Sequence, residues 1–442
     1  MAGAGGPGMV ARATLATITP YVDAASTAVA AEDRGKPVNP LRASAVERLV
    51  WRVPPSDRDN VPDRLPTGRP PVIAVVGSSG FRASWQAGVL DALEDIVDPI
   101  RLDLASGGTI PGLALAAGIG KHRRRIINAG APTGEAITRV GGPTWYERGN
   151  LDLAGIYHLD GIERWLAAWL EWAGIRTFRD LRYRPGDSAP RGVTHRVGIG
   201  VVVWRTAGSH PRRFTAAELR DPPTIRRLFR WAFFGRQFPW KHFRQMWIPD
   251  TVGEHLPWLA GEIDDHSPAF WARVSMSQWP FFLPTVLQDP DTGHLVFLAD
   301  GGHIDNQPSL FNDGRVPDHP IINPRLTQNG RQNTRAQRER DARRMPFGHV
   351  ARFPTTADTR VGLSAGARLD WAARDRMWLT GLTQGRRSLP RDVRLMAYRY
   401  ASARQAAERG LRTRIEVPGL HGFQAIAAAE RPGRKVIIAL RS

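Results

Sequence analysis

The sequence predicts an α/β protein, a three-layer α/β/α sandwich around a mostly parallel central sheet. Three observations carry this. Val72–Val76 and Val197–Trp204 are apolar through most of their length, the pattern of strands covered on both faces. The first run leads through a Gly-rich turn and a helix to a second short strand, the order of a right-handed βαβ unit. A chain of 442 residues that is 42% hydrophobic can fill a substantial core.

In chain order, residues 1–68 are rich in Ala, Gly, Pro and charge and read as an N-terminal extension with some helix. Residues 69–326 are expected to form the main α/β domain. They begin with the first strand, the loop Gly77-Ser78-Ser79-Gly80, a helix over Trp85–Ile96 and a second strand over Ile100–Ala105. The loop lacks both the Gly-Lys-Ser/Thr ending of a P-loop and the spacing of a dinucleotide fingerprint. Ser106-Gly107-Gly108 is then a tight turn into the helix Ile110–Gly118, whose small apolar residues allow close packing on the sheet. Ile162, Trp165, Leu166, Trp169 and Leu170 recur at helical spacing, and Val197–Trp204 is the next strand. Ile225, Leu228, Phe229 and Ala232 share one helical face, with Arg226, Arg227 and Arg230 opposite. That is the build either of an interfacial helix or lid, or of a partly buried helix with a solvated basic face. Trp271–Pro284 reads as a helix running into a Pro- and Phe-containing turn, and His294–Asp300 as a strand ending in Asp300-Gly301-Gly302. Residues 327–442 form a C-terminal helical region. It opens with a polar, basic surface loop over 327–345, continues with helices around Trp371–Leu382 and Val393–Arg409, and closes with a strand, Val436–Leu440.

A serine between an apolar strand and a Gly-rich helix start projects its hydroxyl above the sheet edge, with helix N–H groups aimed at any charge that develops there. Two registers fit this elbow. Ser106 as nucleophile keeps Gly108 two residues on but puts Leu104 where a small residue is usual. Thr109 keeps Gly107 but replaces serine by threonine. The first is preferred because it retains the nucleophile type and the helix-side glycine. A leucine at 104 must then point away from the helix or widen the turn.

Three pieces in this order, Val75–Arg82, the Ser106 elbow and Phe297–Pro308, resemble the patatin-like phospholipases, as does Trp271–Pro284 before the Asp motif. The resemblance implies a Ser106-Asp300 dyad acting on lipid esters through an acyl-enzyme, with no histidine and no cofactor. It further implies an oxyanion hole of backbone N–H groups at Ser79, Gly80, Phe81 and Gly107. Arg82 braces this loop or, as a substrate-binding residue, meets a headgroup phosphate. Ser78 and Ser79 replace two of the family's usual loop glycines, and Ala83 replaces a third. Together with Leu104, these departures motivate an alternative, a catalytically impaired lipid-binding or scaffold protein on the same fold.

The formal charge of +19 favours anionic partners, above all the surface of an anionic membrane. A nucleic-acid binder rests on that charge alone, since no recognised nucleic-acid motif accompanies it, and none is expected as partner. The absence of cysteine excludes disulfides, thiolate catalysis and Cys-based zinc sites, and the histidines show no metal spacing, so no metal is expected. Residues Met1–Val10 contain no Lys or Arg, and the following apolar stretch is interrupted by Arg12, Pro20 and Asp23. Neither a signal peptide nor a membrane span fits, and the expectation is a cytoplasmic protein, peripheral at the membrane.

Overall fold

The computed structural model describes residues 68–77, 79–131, 138–139, 157–235, 243–278, 282–303, 309–313, 317–327, 345, 347–361 and 369–408. The expected N-terminal extension up to residue 67, the polar segment 328–344 and the closing strand at 436–440 lie outside them, as do Ser78, Asn306 and Pro308.

The described elements are β1 (Pro71–Val76), α1 (Ala83–Glu94), β2 (Asp98–Leu104), α2 (Thr109–Ala116) and α3 (Lys121–Ala129). Two antiparallel two-residue strands follow, β3 (Thr138–Arg139) and β4 (Tyr157–His158), then α4 (Asp160–Trp172) and the long β5 (Val197–Ser209). After α5 (Pro222–Phe234) come β6 (Arg244–Ile248), α6 (Pro268–Met276), β7 (Thr285–Gln288), β8 (His294–Asp300), β9 (Ile321–Thr327), β10 (Gly348–Pro354) and α7 (Trp371–Glu408). Strands order as β10-β9-β1-β2-β5-β8-β7, with β6 on β5. The five from β10 to β5 are parallel, and β6, β8 and β7 are antiparallel to their neighbours. This is the α/β architecture with a mostly parallel sheet that the apolar runs predict.

Alternation along each strand divides the core. Val72, Ala74, Val76, Leu102, Leu104, Ile199 and Val201 pack under α1, α2, α4, α6 and α7. Ile73 and Val75 face the other way, onto Trp247, Leu310 and Phe311. Val202, Trp204 and Phe297 on that second side meet the apolar stripe of α5, Ile225, Leu228, Phe229 and Ala232. The helical layers are therefore unequal. The face of α5 that would enter a bilayer in the interfacial reading is spent on the protein core.

The sheet does not stop at the expected boundary of residue 326. β9 runs to Thr327, β10 pairs with it in parallel, and α7 lies against α1. Pro324 hides β9 in the sequence, because proline argues against a central strand. It is tolerated because β9 touches β1 only at Ile321 and Ile322, leaving Pro324 with β10 on one side. The two helices expected between 371 and 409 are one, continuous through Pro390, with Leu389 and Val393 both fully buried.

α1, α3 and α7 are joined at Asp91, which accepts from Arg124 Nε and from Trp378 Nε1, each at 2.9 Å. The α1–α7 contact is close enough that a Cβ at Gly381 would lie 2.1 Å from the Trp85 carbonyl oxygen. In an open helix, Gly→Ala stabilises by about 1 kcal/mol. Here the clash is with backbone, so Gly381→Ala should instead destabilise by about 1–3 kcal/mol. Urea unfolding measures it, and a gain in stability would show that the two helices separate freely.

Candidate active site

Strand register brings two distant residues to one level. Leu104 of β2 pairs with Ile199 of β5, and Asp300 of β8 pairs with Val201. Ser106 is two residues beyond Leu104, and Val201 two beyond Ile199. β8, running antiparallel, therefore returns its last residue to the height at which β2 leaves the sheet.

At that point the backbone turns sharply. Ala105 is extended, and its N–H donates to Val76 O at 3.0 Å. Ser106 has φ +52°, a left-handed conformation found at no other non-glycine among the described residues. Such a residue costs about 1–3 kcal/mol and persists only where its surroundings hold it. Here they do. Ser106 N–H donates to Ser275 Oγ at 2.9 Å, Ser275 Oγ donates to Gly200 O at 2.7 Å, and Thr109 Oγ1 donates to Ser106 O at 2.7 Å. Thr109, the other register of the elbow, thus has its hydroxyl engaged on backbone.

Leu104 does not point away from the helix. Its side chain fills the space left by Gly112 of α2, where a Cβ would lie 2.1 Å from Leu104 Cδ2. The bulk usually excluded from the strand is compensated one helical turn past the elbow.

Ser106 Oγ donates to Asp300 Oδ2 at 2.6 Å. Asp300 Oδ1 accepts from Gly302 N–H at 2.7 Å, and Asp300 N–H donates to Ser277 O at 3.1 Å. Both side chains are nearly sealed, Ser106 5% and Asp300 2% exposed. Burial pushes the Asp300 carboxyl up to about 7, and the hydrogen bonds from Ser106 and Gly302 offset only part of that.

The roles of Ser275 and Ser277 were not legible in the sequence. α6 starts cleanly, with Ser267 Oγ accepting from Ala269 N–H and Pro268 in the first turn. Its last turn then holds the backbones of both Ser106 and Asp300. The only signal was the Ser-x-Ser pair at a helix end before the Asp motif, which by itself reads as an ordinary cap.

On the loop after β1, Ser79, Gly80 and Phe81 lie beside the elbow. A Cβ at Gly107 would sit 2.4 Å from Gly80 O and 3.0 Å from Gly80 N. Gln86 Nε2 holds the loop from behind through Gly77 O at 2.9 Å. Of the two roles expected for Arg82, the observed contacts are those of a brace. Its Nε donates to Thr359 O at 2.9 Å and its Nη2 to Val361 O at 3.4 Å, in the segment after β10. The His303 side chain lies outside the described residues.

No family model matches the chain, and no curated protein matches it in sequence. Among solved structures, VipD from Legionella pneumophila is similar with a TM-score of 0.29 and 12% identity, over 72% of this chain and 66% of VipD. The type III effector protein ExoU is similar with a TM-score of 0.26 and 14% identity, over 72% of this chain and 54% of ExoU. The chain thus spans about two thirds of the first and about half of the second. Among the described residues, no helix is long and apolar enough to cross a membrane.

The raised Asp300 pKa has a stability consequence of fixed sign. Between the ordinary carboxylate value of 3.8 and about 7, the folded chain keeps a proton that the unfolded chain has released. Stability from this group is therefore lost as pH rises through that window. Asn carries no such cost, so Asp300→Asn should melt higher than the wild type at about pH 8, with the gain shrinking toward about pH 4. A melting difference that is flat with pH would mean that the carboxyl is hydrated.

Proposed function

We propose that the chain is a lipid acyl hydrolase of the patatin-like type, a serine hydrolase of carboxylic esters working through Ser106 and Asp300. The 2.6 Å hydrogen bond from Ser106 Oγ to Asp300 Oδ2, made by a serine in left-handed backbone, carries the reading. Asp300 is placed to accept the serine proton directly, so that Oγ bonds to the ester carbonyl carbon while the carbonyl π pair moves onto oxygen. Collapse expels the alcohol, which takes its proton from Asp300. Water then repeats the sequence on the acyl-enzyme and releases the acid. Ser106 N–H is engaged by Ser275, so the backbone donors for the oxyanion come from Gly107 and from the loop at Ser79, Gly80 and Phe81. Arg82 keeps that loop in place. The fit of Leu104 against Gly112 removes one of the departures that favoured a catalytically impaired scaffold.

Ser106→Ala should abolish both ester hydrolysis and covalent labelling by a fluorophosphonate, while Thr109→Ala should keep its label. Undiminished labelling of the Ser106 variant would sink the assignment. Asp300→Asn should cost at least about 10²-fold in turnover, since an amide accepts no proton and the dyad has no histidine to take over. The wild-type kcat/KM should rise with pH through a single ionisation with midpoint about 7, that of Asp300. A midpoint in the ordinary carboxylate range would assign the base elsewhere.

The finer reading of an anionic membrane surface rests on the exposed Arg227 and Arg230 of α5. With the apolar stripe buried, the attraction is electrostatic. Replacing both by Gln should weaken retention on phosphatidylserine vesicles by about 1 kcal/mol per charge. Equal retention of the variant would leave those arginines as plain surface residues.

A further inference from the structure

The hydroxyl of Ser79 is out of place for a loop serine. Its Oγ is shielded from solvent and has no hydrogen-bond partner among the described residues. Leaving such a group unmade costs about 1–3 kcal/mol, which a loop position next to water ordinarily avoids by turning the side chain outward. The loop does not force this orientation through its backbone, because Ser79 sits at φ −123° and requires no glycine.

The direction in which the hydroxyl points is informative. A Cβ placed on Gly107 would lie 2.8 Å from Ser79 Oγ, so the hydroxyl faces the residue immediately after the nucleophile. Ser106 N–H adds no donor of its own, since it is bonded to Ser275 Oγ at 2.9 Å. The Ser79 carbonyl is fixed by Arg82 N–H at 3.1 Å, which holds the residue in register with the elbow.

We infer that Ser79 Oγ is a side-chain donor of the oxyanion hole, a catalytic residue that supplements the Gly107 and loop N–H groups. This rests on the hydrolase reading above. In the acylation step Ser106 Oγ bonds to the carbonyl carbon, its proton goes to Asp300, and the carbonyl electron pair becomes an alkoxide. Ser79 O–H donates to that alkoxide, then loses the bond when the alkoxide collapses and the alcohol departs. The serine that replaces a family glycine here is then a gain of function in the loop, because glycine supplies only its N–H.

The test compares Ser79→Ala, Ser79→Gly and Ser79→Thr on p-nitrophenyl butyrate, with a trifluoromethyl ketone as a probe that forms an alkoxide on Ser106. Ala and Gly keep the backbone N–H and lose the hydroxyl. Each should lower kcat about a hundredfold with KM little changed, and weaken the ketone by a similar factor. Thr keeps the hydroxyl and should retain most of the wild-type kcat, which separates the donor from a packing role. Melting curves of all three guard against misfolding. A Ser79→Gly variant as active as the wild type, in an enzyme whose Ser106 takes up fluorophosphonate, overturns this inference and leaves the hydrolase reading standing. A wild type that neither hydrolyses the ester nor labels overturns both.

Discussion

The left-handed backbone at Ser106 is the constraint around which the other elements are arranged. It demands that the chain reverse within one residue, so the strand before it and the helix after it come into contact. Leu104 and Gly112 interlock there, and Gly107 reaches the loop from β1. A strained turn needs external clamps, and these come from α6, whose Ser275 takes the Ser106 N–H and whose neighbouring Ser277 takes the N–H of Asp300. One helix end therefore fixes the distance between the two side chains that share the 2.6 Å hydrogen bond.

Burial is treated differently at Asp91, Asp103 and Asp300, three of the interior aspartates. Asp91 meets Arg124, and Asp103 meets Arg101 along with Ser309 Oγ and Leu310 N–H. Both belong to fully partnered networks that join elements, Asp103 securing the Ser309–Leu310 end of the chain beyond Asp300 to β2. Asp300 receives only hydrogen bonds, from Ser106 and Gly302 N–H. A guanidinium beside it would favour the carboxylate and make it a poorer proton acceptor. Leaving it with neutral donors keeps its proton affinity high, at a cost in stability near neutral pH.

Much of this was legible in the sequence, for identifiable reasons. Continuous apolar runs marked β1 and β5, and glycines after Ser106 and Asp300 marked the turns that follow them, since both signals are local. β9 and β10 were hidden because Pro324, Arg325, His349 and Arg352 interrupt their apolar pattern. α7 was split at Pro390 because propensity weighs a proline without seeing the burial of Leu389 and Val393 that holds the helix through it. The clamp from Ser275 and the brace from Arg82 link residues 169 and 277 positions apart, and no local pattern encodes such a pairing.

That separation also governs the order in which the site comes into being during synthesis. Ser106 leaves the ribosome first, its partner carboxylate follows 194 residues later and the carbonyl that steadies Arg82 later still. α7, which packs on the helix that follows the loop after β1, is the last described element to emerge. Loop closure over such distances is slow compared with local helix formation. A nascent chain therefore carries Ser106 without the Asp300 carboxyl while the 194 residues between them are made, and the brace at Arg82 closes later still.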